Sequence, residues 1–183
     1  MTGISQVRRN GFVALFVACG LVVLVAWLRG PAAPSHNQQA LHDYPELFVD
    51  VTACPLQGDP LPNGRRLEEL GLLRADRYAY NAGDGVRAVQ RYSEAQACYR
   101  AAGSHSDGAR VGRLLTALSA RVNTDYAAAR LNLVTALDQR RWSDALSEIY
   151  RLLLLTEHLR RHGYVEWLNE IIGKIAARAS TTP

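Results

Sequence analysis

The sequence predicts an all-α chain: one N-terminal transmembrane helix, then a domain of about six antiparallel helices. Three observations carry this. Residues Gly11 to Leu28 form an unbroken run of 18 uncharged, mostly apolar positions. Between Arg65 and Ala179 there is no proline, and apolar residues recur at helical rather than alternating spacing. Clusters of turn-forming residues divide that same region into segments of helix length.

The apolar run comes first in the chain. At 1.5 Å of rise per residue it makes a helix of about 27 Å, close to the ~30 Å hydrocarbon core of a bilayer. Arg8 and Arg9 precede it, Trp27 sits at its far end where an indole suits the interface, and Arg29 with Gly30 and Pro31 closes it. Two other readings compete with an uncleaved anchor. A signal peptide cut after Pro31-Ala32-Ala33 would have an unusually long apolar core. A lipoprotein built on Cys19 would leave nine mostly apolar residues beyond the lipidated position. The positive-inside rule places residues 1–10 in the cytoplasm, 11–28 in the bacterial inner membrane and the remainder in the periplasm. Gly11, Ala14 and Ala18 share a small-residue face on which such a helix can pair with another.

A pI near 9.2 suggests nucleic acid, but the charge lies in the wrong place. Without Arg8, Arg9 and Arg29, 18 basic residues face 17 acidic ones, and a body so nearly neutral lacks the excess on which nucleic-acid affinity depends. The partners expected are therefore the bilayer, through residues 11–28, and one or more proteins. No cofactor, metal or catalytic residue is expected. Cys54 and Cys98 are an even pair in a compartment that permits oxidation. Bonded, they would tie the irregular leader to the helical body; reduced, Cys98 is a small buried residue on an Ala-rich helix face.

Residues 29–64 read as a linker and an irregular segment. Pro45, Pro55, Pro60 and Pro62 fall between Leu41 and Gly64 and argue against a long helix there. Leu47 to Val51 is apolar enough to dock on the body as a short extended stretch. The helical domain spans 65–179, followed by a tail at 180–183. Turn signals at Gly83-Asp84-Gly85, Gly103 to Gly108, Asn123-Thr124-Asp125, Arg141-Trp142-Ser143 and His162-Gly163 separate six helices. Their expected spans are 65–82, 85–102, 108–122, 125–139, 143–161 and 164–179. Asp84, Asp107, Thr124 or Asp125, and Ser143 or Asp144 stand where a side chain can accept the free amides of a first turn. The fifth helix carries leucines on more than one face, which predicts packing on two sides.

Ala82 to Ala95 (AGDGVRAVQRYSEA) resembles the second helix of a tetratricopeptide repeat, in which a turn glycine is followed by small and aromatic packing positions. Forty-one residues on, Thr124, Asp125, Tyr126, Ala129, Leu133 and Ala136 take the places of Gly83, Asp84, Gly85, Ala88, Tyr92 and Ala95. A 34-residue register instead pairs Tyr92 with Tyr126, Ala95 with Ala129 and Ala102 with Ala136. Trp142, Ala145, Ile149 and Leu152 repeat the aromatic, small, large, large spacing. The resemblance implies three stacked hairpins held by Ala88, Tyr92, Ala95, Tyr99, Tyr126, Ala129, Leu133, Ala136, Trp142 and Ala145. It also implies a grooved surface that binds a protein partner.

Enzymatic patterns are present but weak. Ser104, His105 and Asp107 gather triad-like chemistry in one loop, at a spacing that misses the nucleophile elbow. His158 and His162 are four apart, metal-compatible on one helical face, with Glu157 or Glu166 as a third ligand. The stronger reading is that His158, Arg160, Arg161 and His162 crowd the last turn before Gly163, where cationic groups suit the helix dipole. Gly83-x-Gly85 lacks the preceding strand of a dinucleotide fingerprint. The expected function is thus a membrane-anchored helical-repeat adaptor or scaffold in an envelope complex. The alternatives are an anchored His-dependent metal-binding or hydrolytic domain, and a purely structural membrane subunit.

Overall fold

The computed structural model describes residues 43–48, 53–54 and 57–181. The anchor residues Gly11, Ala14, Ala18 and Trp27 lie outside the described residues, as do Cys19 and the linker to residue 42. Among the described residues no helix is long and apolar enough to cross a membrane.

The described residues form five α-helices, α1 (Pro60–Arg77), α2 (Ala82–Ala101), α3 (His105–Asp138), α4 (Trp142–Leu155) and α5 (Gly163–Thr181), and no strand. A short 3-10 turn, Glu157–Leu159, joins the last two. Consecutive helices pack on one another, and α2 also reaches α4.

Several boundaries differ from expectation. The first helix begins at Pro60, inside the proline-rich segment. Asp59 caps it by accepting from the Leu61 amide at 3.0 Å, and Pro60 and Pro62 sit in the first turn, where amides have no helical partner to lose. The expected turn at Asn123-Thr124-Asp125 does not form, so two expected helices are the single 34-residue α3, about 50 Å long. The hydroxyl of Thr124 donates to the Ala120 carbonyl at 2.9 Å, and Asp125 accepts from the Tyr78 hydroxyl. More decisively, Val111, Leu115, Leu118, Val122, Tyr126, Ala129, Leu133 and Ala136 continue one stripe at steps of three or four residues, straight through the place where the turn was expected. The fifth expected helix stops early, at Leu155, where the Thr156 hydroxyl donates back to the Leu152 carbonyl. The last helix runs to Thr181, beyond the expected start of the tail.

The acidic residues expected to cap helices do other work. Asn81 caps α2, accepting from the Gly83 amide at 3.0 Å. Asp107 accepts from the Ser104 hydroxyl at 2.7 Å and pairs with Arg110.

The α1–α2 hairpin meets through glycines. Gly64 faces the ring of Tyr99, Gly71 that of Tyr92, and Gly85 that of Tyr78. Each step of seven along α1 is matched by seven back along α2, which makes the pair antiparallel and lets each ring lie where a Cβ would otherwise stand. Tyr92, Tyr99 and Leu67 then form the smaller core cluster with Ala95, Cys98 and Val111. The larger cluster lies among α2, α3, α4 and α5, with Leu133, Ile149, Leu152 and Leu168 fully buried. Leu115 and Leu118 pack against both clusters.

The structure joins Cys54 to Cys98 by a disulfide, with a Cα–Cα separation of 4.6 Å. The leader is also docked upstream of that bond. Leu47 is buried in the larger core, Phe48 packs against it, and Arg130 lies 3.3 Å over the ring of Tyr44. Val49 to Val51, the rest of the stretch expected to dock, lie outside the described residues.

Candidate functional site

Two adjoining clefts open along α2. Because α4 ends at Leu155, the chain from Glu157 to His162 turns across the first half of α2 and closes a cleft of about 700 Å³, lined on the helix side by Gly83, Val86, Arg87 and Gln90. A second cleft of about 900 Å³ lies between α2 and α3, bounded by Gln90, Ser93, Glu94 and Arg100 on one wall and Leu115 and Thr116 on the other. Gln90, His158 and Leu159 line both, so the clefts meet there. The docked leader reaches the same junction: the His158 Nε2–H donates to the Leu47 carbonyl at 2.9 Å.

Charge is concentrated in the first cleft and in the ion-pair cluster beside it, which Arg87 joins. Asp84, only 5% exposed, lies beside Arg74 at 2.9 Å, Arg77 at 3.3 Å and Arg87 at 3.3 Å. A buried carboxylate is tolerable only when so compensated. Arg87 spans from Asp84 to Glu157, and Arg160 approaches Glu157 from the other side at 3.7 Å. Arg160 and Arg161 are exposed at the mouth.

A second polar node ties the hairpins together. The Tyr78 hydroxyl donates to Asp125, which also lies 3.8 Å from Arg151, while Arg121 stacks over the Tyr78 ring. Burial and the Asp125 carboxylate push the Tyr78 hydroxyl well above the usual phenol range. Burial likewise pushes Tyr126 up to about 12, and it raises Tyr164 further.

Nine of the expected packing residues, Ala88, Tyr92, Ala95, Tyr99, Tyr126, Ala129, Leu133, Ala136 and Ala145, are buried. Trp142 is half-buried, with Arg178 4.9 Å from its ring. His158 and His162 do not share a helical face, since the helix expected to carry both has ended before them. One ring binds the Leu47 carbonyl, and the other accepts from the Tyr164 amide at 3.2 Å. Glu157 is taken up by Arg87 and Arg160. Among the described residues no group of three or more His, Cys, Asp or Glu side chains is placed to hold a metal. Ser104, His105 and Asp107 form the start of α3, where the serine hydroxyl is bound to Asp107. Gly85, in the weak dinucleotide pattern, makes room for the Tyr78 ring.

Sequence reading missed the arginine cluster around Asp84, the Tyr78–Asp125 bond and the glycine–tyrosine register. The register did leave a signal: Gly64 and Gly71 are seven apart, as are Tyr92 and Tyr99.

The geometry defines a class: among the described residues, an all-helical body whose consecutive helices pack on one another, with two adjoining clefts along one helix. No protein family, curated protein or solved structure matches the chain.

Proposed function

We propose that this chain is a membrane-anchored, tetratricopeptide-like adaptor that presents its helical body to a protein partner in a bacterial envelope complex. Gly11 to Leu28 hold it in the inner membrane with the N-terminus cytoplasmic, and the body stands in the periplasm, a compartment that permits a Cys54–Cys98 disulfide.

One observation supports the reading above the others. The helical body already holds a non-helical segment, Asp43–Phe48, by burying Leu47, stacking Tyr44 under Arg130 and bonding the Leu47 carbonyl to His158. That combination of an apolar anchor, a stacked aromatic ring and a main-chain hydrogen bond is how proteins take up extended peptides. Open clefts continue from it on both sides of Gln90.

Two experiments test this. A reporter active only outside the cytoplasm, fused after Pro183, is expected to be active; silence reverses the topology. Co-purification from membranes with the full chain as bait is expected to yield a stoichiometric partner that is lost when Gln90→Trp fills the junction of the clefts. A partner retained undiminished by that variant would place binding elsewhere.

A further inference from the structure

We infer that the first cleft takes an acidic, apolar-interspersed segment of the partner, bound through its Asp or Glu side chains. This rests on the adaptor reading and adds the chemistry of the partner.

The local charge is the starting point. The body as a whole is nearly neutral, yet this cleft gathers Arg87, Arg160 and Arg161 against the single carboxylate of Glu157. Glu157 also shows how the cleft handles a carboxylate. Arg87 reaches it from α2, and Arg160 reaches it from the turn. It is a tethered occupant of a site built for that group, while Arg161 has no acidic partner among the described residues. Guanidinium groups bind carboxylates through paired N–H donors, and an incoming acidic side chain would find Arg160 and Arg161 already at the mouth.

The remaining lining favours a peptide over a small anion. Val86, Leu154 and Leu159 lie between the charged groups, and Leu154 is an exposed leucine. Beyond Gln90 the second cleft extends the path to Arg100. From Gly83 to Arg100 along α2 is about 25 Å, the span of an extended peptide of about eight residues.

The test uses the full chain in detergent micelles and fluorescent octapeptides read by anisotropy. The alternating Glu-Leu octamer is expected to bind, with affinity falling as salt rises from 50 to 500 mM, and the Lys-Leu octamer is not. Arg160→Gln with Arg161→Gln, both exposed and outside the helices, is expected to weaken the Glu-Leu octamer about five- to tenfold. Arg87→Gln is expected to weaken it as well, with circular dichroism reporting whether the fold survives. Equal binding of the two octamers, affinity indifferent to salt, or no effect of the double variant would overturn the inference. So would full competition by equimolar inorganic phosphate, which would make this a simple anion site. A partner captured from membranes without Glu-Leu binding defeats this inference alone; Glu-Leu binding without any membrane partner defeats the adaptor reading instead.

Discussion

Replacing Gly85 by Ala should destabilise the body, although the same change elsewhere in a helix stabilises. An alanine in a helix interior is favoured over glycine by about 1 kcal/mol. At Gly85 that gain meets the Tyr78 ring, whose nearest carbon would lie 2.3 Å from the new methyl group. The ring has nowhere cheap to go: it is buried, Arg121 stacks on it, and its hydroxyl is bound to Asp125. Overpacking costs roughly 1 to 3 kcal/mol, and loss of a charge-assisted hydrogen bond about 1.5 to 3 kcal/mol. The net expectation is a loss of about 1.5 to 5 kcal/mol. Gly173, in α5, has nothing within 4 Å of its would-be Cβ, so Gly173→Ala should gain about 0.5 to 1 kcal/mol. Urea unfolding of the detergent-solubilised chain, followed by far-ultraviolet circular dichroism, compares the two. A Gly85→Ala chain as stable as the parent, or shifted in the same direction as Gly173→Ala, would refute the close-packed register.

Other changes follow from the same contacts. Asp84→Asn leaves Arg74, Arg77 and Arg87 without their shared carboxylate; because those side chains keep partial contact with water, the expected loss is about 1 to 3 kcal/mol by urea unfolding. Reducing the Cys54–Cys98 bond, which spans 44 residues, should cost up to about 4 kcal/mol, and Cys54→Ser should match it; an unchanged midpoint would separate the bond from stability. Tyr126, held neutral by burial with a hydroxyl that reaches about 12, contributes stability that is complete below pH 10 and is lost as pH rises toward 12. Tyrosinate absorbance and helicity should therefore change together in that window. Tyr126→Phe, which removes a buried hydroxyl that has no protein hydrogen-bond partner, should move the alkaline transition upward.

Periodicity was a good guide to the helices and a poor one to their ends. The stripe from Tyr126 through Ala136 and the buried face of α5 follow from spacing alone, because apolar burial is what selects the helix face. The false boundary at Asn123-Thr124-Asp125 arose from reading polar residues as punctuation, when a helical threonine can bond its own preceding turn and an aspartate can serve a distant tyrosine. Pro60 and Pro62 misled in the opposite sense, since proline opens a helix as readily as it breaks one. The clefts were not legible at all. They depend on α4 ending at Leu155 and on Arg87, Glu157 and Arg160 meeting across 70 or more positions of chain, and no local pattern encodes that distance. His158 and His162 looked paired only while one helix was assumed to carry both.

The most direct test of the adaptor reading is a photo-crosslinking amino acid placed at Gln90, where the clefts meet, in the full chain in native membranes, with Gly173 on the exposed face of α5 as the control position. One discrete protein adduct is expected from Gln90, absent from Gly173 and diminished by Arg160→Gln with Arg161→Gln. Identical adducts from both positions, or none from Gln90, would contradict it.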